Sequence, residues 1–416
     1  MKILISHVYS NDNKGDAALL SVLISDIKRG FDNPDMTILT LDTLAPGETF
    51  DGVTMKHAFM YYAREQYKNR VLQAIYAAYI TTLTFITAFS YRWFKVNIPL
   101  PKSIQEVVKL YEDADIVISV GGGYVRGKEG LMGTFGLFFI LHPFVFSYIL
   151  GKKTVGYTQS VGPFGNRFQE RMARFAVKRL NGIIVREHIS LELLKKWGIK
   201  KNVSLSVDSG FAFQSNTSVN LHEKFHIPEE KMIVGVTVRA WLNSKAQEHY
   251  ERSVAALADH IVTAYNAAVI FIPQVTVELQ SDDDRESSKR VYSYMEEKDK
   301  AYVVKERYDH HIVKAMYADL DYLVGTRFHS VIFALTSKVP SMAIEYEHKT
   351  RGIMADLGLE QWVVNIKKVE SDNLIDMFDR LTRERSVYLR HLDTVLPGYI
   401  EEANKAIYTV KDIYEN

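Results

Sequence analysis

The sequence predicts an α/β protein with two Rossmann-like domains and a cleft between them. Three observations support this fold class. Short β-branched runs alternate with helix-period stretches, the alternation restarts past the middle of the chain, and a polar stretch, residues 214–220, separates the two series. Strands separated by helices imply right-handed crossovers, so we expect both sheets to be parallel.

The two series of predicted strands define the predicted domains. The first series comprises residues 2–6, 37–40, 116–120, 154–158 and 182–185, with helices that include residues 17–28 and 168–180. The second series comprises residues 232–238, 268–272, 301–304, 322–324 and 341–344. We therefore expect an N-terminal domain over residues 1–214, a C-terminal domain over 221–384, and a helix over 385–416 that returns to the first domain.

Composition excludes several classes of function. The 416 residues carry 51 Lys and Arg against 50 Asp and Glu, and a formal net charge of +1 argues against a general nucleic-acid binder. The absence of cysteine removes disulfides, thiolate zinc sites, iron–sulfur clusters and cysteine nucleophiles. The N-terminus becomes polar too early for a signal-peptide core, so a cytoplasmic location is expected.

Two uncharged stretches, residues 71–91 and 131–151, are each long enough to cross a bilayer. A predicted strand lies between them, so a crossing would put strands of one sheet on opposite sides of a membrane. The first stretch has an apolar helical face and a second face with Thr81, Thr84 and Thr87. We expect both stretches to be buried or domain-covering helices.

A membrane-surface helix stays open for the helical segment 60–100, on the acceptor or membrane side of the first domain. The uncharged stretch there is flanked by the basic and aromatic residues Lys68, Arg70, Tyr91, Arg92, Trp93, Phe94 and Lys95. A second subunit of the same chain is the other external partner that this helix would suit.

Residue types that bind ligands follow the predicted strands, where open α/β sheets hold their ligands. Gly15 and Asp16 lie between the first strand and the first helix, whose N-terminal amides attract anions, although Asp16 fits equally well as a helix cap. The loop at 122–128 matches G-x-x-x-x-G-K and adds the positive charge of Arg126. Glu129 replaces the Ser or Thr with which a P-loop holds magnesium, so nucleotide hydrolysis is not expected.

Arginines occupy the carboxyl ends of three predicted strands, at Arg186, Arg239 and Arg327. Three guanidiniums beside His329 suit a small, highly anionic substrate, because Arg binds carboxylate and phosphate in a planar, bidentate way. By contrast, we expect the acidic run at 282–284 to form a solvated loop, and His310–His311 to diverge too far to hold a metal.

The order and content of these loops resemble the polysaccharide pyruvyl transferase family, most closely its colanic-acid branch. The matching segments are N-K-G-D-A-A-L-L (13–20), V-G-G-G (120–123), Q-S-V-G-P-F (159–164), V-R-E-H-I-S (185–190), V-D-S (207–209), G-T-R-F-H-S (325–330) and E-Y-E-H-K-T-R-G-I-M (345–354). Glu187 departs from the family, in which Asp is common at that position.

The resemblance implies an enzyme with a fold similar to the GT-B glycosyltransferases. Such an enzyme transfers pyruvate from phosphoenolpyruvate to two hydroxyls of a sugar and releases phosphate as a cyclic ketal forms. Together with the strand-end positions it implies catalytic residues His329 and Asp16, donor-binding residues Arg186, Arg327, Arg239, Gly15, Ser330 and Lys349, and acceptor-side residues Gly122, Gly123, Gln159 and Arg126. We expect no metal and no cofactor beyond phosphoenolpyruvate as co-substrate, because addition of oxygen to carbon requires neither.

The implied acceptor is an exopolysaccharide or capsule precursor carried on a polyprenyl diphosphate, which places the enzyme in the cytoplasm, at the inner face of the plasma membrane. Two other classes stay open at this point. One is a sugar-nucleotide glycosyltransferase on the same fold, and the other is a noncatalytic partner in membrane-bound assembly.

Overall fold

The computed structural model describes residues 1–44, 47–67, 69–96, 98–277 and 282–416. Their contacts divide the chain into two compact units. The first unit comprises Met1–Ser10, Leu19–Ser209 and Glu402–Asn416, and the second comprises Asn11–Ala18 and Gly210–Glu401. The second unit therefore contains the Asn11–Ala18 loop, which lies far from it in sequence.

The first unit consists of a sheet with helices on its faces. Its strands are β1 (Lys2–Val8), β2 (Asp35–Thr40), β3 (Thr49–Phe50), β4 (Val53–His57), β5 (Ile116–Ser119), β6 (Gly122–Val125), β7 (Lys153–Val161), β8 (Gly182–Val185) and β9 (Val203–Leu205). Its helices are α1 (Lys14–Gly30, which starts in the second unit), α2 (Phe59–Gln66), α3 (Arg70–Phe94), α4 (Lys102–Asp113), α5 (Gly130–Leu150), α6 (Arg167–Val177) and α7 (His188–Lys196).

The order of the first sheet is β3-β4-β2-β1-β5-β7-β8-β9, and β6 pairs with β7. All described pairs are parallel except β3 with β4. Strands such as β5 are buried along their whole length, as a parallel sheet covered on both faces requires. Residues 122–125, which were expected to form a loop, instead form β6 and pair with β7; the chain enters this strand through Gly121, where a Cβ would stand 2.4 Å from Thr158 Oγ1 on β7.

The second unit repeats this architecture. Its strands are β10 (Ile233–Thr237), β11 (Ala268–Phe271), β12 (Thr276–Val277), β13 (Asp282–Asp283), β14 (Ala301–Val303), β15 (Tyr322–Gly325), β16 (Ser341–Glu345) and β17 (Val363–Asn365). Its helices are α8 (Leu221–Phe225), α9 (Ser244–Tyr265), α10 (Asp284–Tyr294), α11 (His310–Ala318), α12 (Phe328–Thr336), α13 (His348–Asp356), α14 (Ser371–Arg383) and α15 (Arg385–Glu415).

The main sheet of the second unit has the order β14-β11-β10-β15-β16-β17, and its described pairs are all parallel. The predicted α/β class with parallel sheets in two series is therefore confirmed. Helix α15 runs through both units, and its residues from Glu402 onward cluster with the first.

Helices α3 and α5 hold the two uncharged stretches, and both are long and apolar enough to cross a membrane. Strand β5 lies between them in sequence and pairs with both β1 and β7. A crossing by either helix would separate β5 from a strand with which it shares hydrogen bonds. The sheet therefore requires both helices to stay on one side of any membrane.

The face of α3 that packs against the unit is its threonine face. Thr81, Thr84 and Thr87 are buried, whereas Ile75 and Ile86 are exposed. Two of the buried hydroxyls have identified partners: Thr87 donates to the Leu83 carbonyl (2.8 Å), and Thr84 lies 3.0 Å from Nε2 of His142 on α5. Since Ile80 and Ala88 are also buried, this helix has apolar residues on both its inner and its outer side.

Two buried histidines make the stability of the first unit sensitive to acid. Burial lowers the pKa of His7 to about 4, and burial together with the charge of His7 lowers the pKa of His142 to about 3. The unfolded chain takes up protons on both side chains near pH 6.5, whereas the folded chain does not. Stability is therefore lost as the pH falls below 6.5.

We predict that replacing one of these histidines removes part of this acid sensitivity. His142→Gln can still hydrogen-bond to Thr84 but does not titrate. Each buried histidine lowers the free energy of unfolding by up to about 1.4 kcal/mol per pH unit below 6.5. The difference in free energy of unfolding, wild type minus His142→Gln, should therefore fall by about 2 kcal/mol between pH 7 and pH 5. Urea denaturation at the two pH values measures this difference, and an unchanged difference would contradict the prediction.

Candidate active site

The turn between β15 and α12 is held in place by β10. The Oγ1 of Thr237, the last residue of β10, accepts the N–H groups of Thr326 (2.9 Å) and Arg327 (3.3 Å). Ser330 Oγ lies 3.0 Å from the same Thr237 oxygen and donates to the Arg327 carbonyl (2.6 Å). The structure therefore gives Ser330 a place within the turn, where its hydroxyl helps to fix Arg327 and His329.

The side chain of Arg327 forms a buried, bidentate ion pair with Asp284. Its Nε lies 3.0 Å from both carboxylate oxygens, and its Nη2 lies 2.6 Å from Oδ1. The Oδ2 of Asp284 also accepts the backbone N–H groups of Gln274 (3.0 Å) and Val275 (2.9 Å). The expectation of a solvated acidic loop at 282–284 is therefore wrong for Asp284, which is 1% exposed.

The same backbone segment holds the Asn11–Ala18 loop. The N–H of Lys14 donates to the Gln274 carbonyl (3.0 Å), and the N–H of Thr276 donates to the Asp12 carbonyl (3.0 Å). Asp12 also forms an ion pair with Arg307. The loop and the turn that carries Arg327 are thus joined through one short stretch of chain.

Asn13 takes the capping position that Asp16 was one candidate to fill. Its Oδ1 accepts the N–H groups of Gly15 (3.2 Å) and Asp16 (3.4 Å) at the start of α1, and its Nδ2 donates to Asp16 Oδ2 (2.9 Å). Asp16 lies in the first turn of α1 as an acidic side chain oriented by Asn13.

Gly15 lies directly against the imidazole of His329. A Cβ atom at position 15 would stand 2.0 Å from Nδ1 and 2.4 Å from Cγ of this ring, so only glycine permits the contact. The catalytic candidate His329 therefore meets the first turn of α1 inside the second unit.

Cationic and aromatic side chains surround Tyr346, which follows β16. The guanidinium carbon of Arg239 lies 4.2 Å from the centre of the Tyr346 ring and 4.7 Å from that of Trp241. Lys349 Nζ lies 3.2 Å from Glu347 Oε2 and 4.9 Å from the centre of the Phe328 ring. We treat Arg239 and Lys349 as one cluster because the charges of both act on Tyr346.

The pKa of the Tyr346 phenol reflects the positive charge of this cluster. Burial raises the pKa of Tyr346, but the positive charges of Lys349, Arg239 and Arg327 outweigh burial and leave the pKa below its ordinary value of 10.0. The same positive charges would favour an anion bound beside this ring.

The first unit contains a separate group of predicted site residues around Arg186. This guanidinium is buried, with Nη1 2.5 Å from Asp208 Oδ2 and Nε donating to Ser160 Oγ (2.8 Å). A Cβ on Gly123 would lie 3.7 Å from Arg186 Nη2, so β6 passes beside the arginine. Like Arg327, Arg186 follows a strand and is oriented by a buried carboxylate.

Gln159 joins two strands of the first sheet. Its Nε2 donates to Ser119 Oγ (2.9 Å) and to the Val120 carbonyl (2.6 Å), and Gly122 is its partner in register on β6. Its buried Oε1 has no hydrogen-bond partner among the residues that the structure describes. Arg126 follows β6, with its N–H donating to the Tyr124 carbonyl (2.7 Å).

The predicted site residues thus fall into two groups. The second unit contains Gly15, Asp16, Arg239, Arg327, His329, Ser330 and Lys349, and the first contains Gly122, Gly123, Arg126, Gln159 and Arg186. Sequence reasoning missed the carboxylates that orient the two buried arginines, Asp208 and Asp284, and the ring pair Trp241 and Tyr346. Asp208 and Tyr346 lie in segments that matched the family, which was the available signal. Asp284 had no such signal.

Comparison with known proteins agrees with this architecture and these segments. Residues 13–348 match the profile of the family described as Polysaccharide pyruvyl transferase. The chain is 26% identical to the amylovoran biosynthesis protein AmsJ of Erwinia amylovora over 401 residues, which cover 90% of each chain.

Two solved structures of enzymes resemble this chain in fold at low sequence identity. The chain resembles a UDP-N-acetylglucosamine 2-epimerase from Listeria monocytogenes with a TM-score of 0.64 at 12% identity, covering 100% of this chain and 96% of that one. It resembles a glycosyltransferase from Rickettsia africae with a TM-score of 0.57 at 12% identity, covering 100% and 97%. These similarities show the GT-B-like fold, and the profile match over most of the chain shows that the protein belongs to the polysaccharide pyruvyl transferase family.

Proposed function

We propose that the protein transfers a pyruvyl group from phosphoenolpyruvate to two hydroxyls of a sugar in an exopolysaccharide precursor and so forms a cyclic ketal. The observation that carries this proposal is the group of cations near Tyr346: Arg239 lies 4.2 Å from the centre of its ring, and the charges of Lys349 and Arg327 also lower the pKa of its phenol. Phosphoenolpyruvate bears a phosphate and a carboxylate, and a cluster of several cations is suited to holding both in a partly buried site.

The reaction needs a proton donor and a proton acceptor beside this cluster. Protonation of the methylene carbon lets a first sugar hydroxyl add to the adjacent carbon. The carbon–oxygen bond to phosphate then breaks, phosphate leaves, and a second hydroxyl adds to close the ring. Of the two hydroxyl protons, one balances the proton on the new methyl group and the other leaves with phosphate.

His329 is the residue that we assign to proton transfer. It lies two residues after Arg327, and its ring contacts Gly15 in the first turn of α1. An imidazole gives and accepts protons near neutral pH. Asp16, oriented by Asn13, is the second proposed base.

Arg186 is proposed as a further donor-binding residue, since Asp208 and Ser160 orient its guanidinium as Asp284 orients that of Arg327. Gly122, Gly123, Gln159 and Arg126 are proposed for the acceptor side. The proposal includes no metal and no cofactor beyond the co-substrate. The proposed acceptor is a glycan on a polyprenyl diphosphate, in the cytoplasm at the inner face of the plasma membrane.

The decisive experiment is incubation of the purified protein with phosphoenolpyruvate and a panel of lipid-linked and synthetic oligosaccharides. Mass spectrometry should find a product that gains pyruvate minus water, with equal release of inorganic phosphate. Binding of a nucleotide sugar together with indifference to phosphoenolpyruvate would instead favour a glycosyltransferase.

We predict that Lys349→Gln and Arg239→Gln weaken donor binding. Each removes a charge-assisted contact of about 1.5–3 kcal/mol, so the KM for phosphoenolpyruvate should rise about 10-fold or more. Steady-state kinetics measures this, and Lys338→Gln, which removes an exposed lysine paired with Asp393, is the matched control. An unchanged KM in both site variants would refute the assigned donor site.

We predict that His329→Gln lowers turnover about 100-fold or more with a much smaller change in KM for phosphoenolpyruvate, because glutamine hydrogen-bonds but does not transfer protons. His249→Gln alters an exposed histidine outside the cluster and should retain full activity. If the His329→Gln enzyme keeps the turnover of the wild type, His329 is a positioning residue.

We predict that Gly15→Ala inactivates the enzyme without unfolding it. The added methyl would stand 2.0 Å from His329 Nδ1 and must displace the ring or the loop, and a misplacement of about 1 Å costs on the order of 100-fold in rate. Gly352→Ala, on α13 with open space around the new methyl, is the control. A fully active Gly15→Ala enzyme would show that this contact does not matter for the reaction.

A further inference from the structure

The exposed large apolar side chains of the described residues are concentrated on the outer faces of α3, α5 and α6. On α3 they include Trp93 and Phe94, which are 69% and 68% exposed. Leu131 and Met132 on α5 and Phe168 on α6 are also exposed. Helix α5 packs against both α3 and α6, and we call the outer side of these three helices the helical face.

An apolar groove joins the three helices of this face. It has a volume of about 370 Å³ and is lined by Phe85 of α3, Phe138 and Val145 of α5, and Met172 and Phe175 of α6. Isolated surface hydrophobics need no explanation, but a continuous apolar surface with a groove marks a site of interaction.

Packing within the unit does not account for the apolar outer side of α3. The side of this helix that faces the unit already has its own apolar contacts through Ile80 and Ala88, whereas Ile75, Tyr79 and Ile86 are exposed on the other side. Of the most apolar 18-residue stretch of each helix, only 33% is buried in α3 and 39% in α5. Some apolar environment outside the unit therefore suits this face.

The charge around the face indicates an anionic environment. Residues 67–96 contain four basic residues and no acidic one, and residues 166–179 contain five basic residues and one acidic, in a chain whose net charge is only +1. Of these, Arg92, Lys95, Arg171 and Arg174 are exposed. The side chain of Arg70 and the whole of Lys68 lie outside the described residues.

We propose that the helical face docks on the surface of an anionic lipid bilayer. Aromatic residues at a helix end and basic residues around an apolar face are what interfacial helices present to headgroups and acyl chains. A second copy of the chain is a poorer occupant, because a two-fold interface would bring two faces with the same excess of basic residues together, whereas anionic headgroups complement that charge. The proposal goes beyond pyruvyl transfer and does not depend on it.

The test is flotation of the purified full chain with vesicles of phosphatidylglycerol and phosphatidylcholine in equal parts, and with vesicles of phosphatidylcholine alone. The protein should float with the anionic vesicles at low salt and detach at about 0.5 M salt, where charges are screened within a few ångströms. Trp93→Ala/Phe94→Ala should lower the partition coefficient at least about 10-fold, because it removes two apolar side chains from the interface.

Two further variants separate the contributions of apolar contact and charge. Arg171→Gln/Arg174→Gln should weaken binding to anionic vesicles and leave the weak binding to neutral vesicles unchanged. Val387→Ala/Tyr408→Ala removes two exposed apolar side chains of α15 outside the helical face and should bind as the wild type does. Circular dichroism checks that each variant is folded.

Three outcomes would overturn the proposal. The first is that no wild-type protein is found in the anionic vesicle fraction at low salt. Equal flotation of wild type and Trp93→Ala/Phe94→Ala is the second. The third is a wild-type dimer that ignores vesicles and becomes monomeric in that variant, which would assign the face to a second copy. None of these readouts involves catalysis, so they are independent of the test of pyruvyl transfer.

Discussion

The buried ion pair between Arg327 and Asp284 is the interaction on which the second-unit site depends. Taking both charges out of water is costly, and the structure offsets that cost with a bidentate contact and two backbone N–H groups donated to the same carboxylate. Loss of either partner would leave a buried, unpaired charge, at a cost of about 3–5 kcal/mol. Such a pair fixes the direction of the guanidinium firmly.

The same ion pair also determines where the Asn11–Ala18 loop lies. Asp284 holds the backbone at Gln274 and Val275, and this segment in turn pairs with Asp12 and Lys14. Gly15 therefore reaches His329 through a chain of contacts that starts at Arg327. One network thus sets both Arg327 and the surroundings of His329, which is the preorganisation that the proposed roles of these two residues require.

The parts of this arrangement that follow from local patterns could be predicted from the sequence. Arg239 and Arg327 each come after a hydrophobic run that ends in polar residues. In the structure these two runs are the paired strands β10 and β15. Asp284 could not be recognised, because an acidic run looks solvated unless its distant partner is known. The inward orientation of Thr84 was equally hidden, because its partner, His142, lies 58 residues away. Local sequence encodes periodicity, whereas these burials depend on long-range pairing.

Ion pairs with carboxylates also distinguish the arginines that we propose for donor binding. Arg186 and Arg327 each contact a buried carboxylate, which offsets much of their charge and leaves them chiefly as directed hydrogen-bond donors. Arg239 lies over the rings of Trp241 and Tyr346, whose faces attract a cation. In the proposed donor site, Arg327 is therefore assigned chiefly to orienting the anion and Arg239 to attracting it, whereas the charge of Lys349 is partly offset by Glu347.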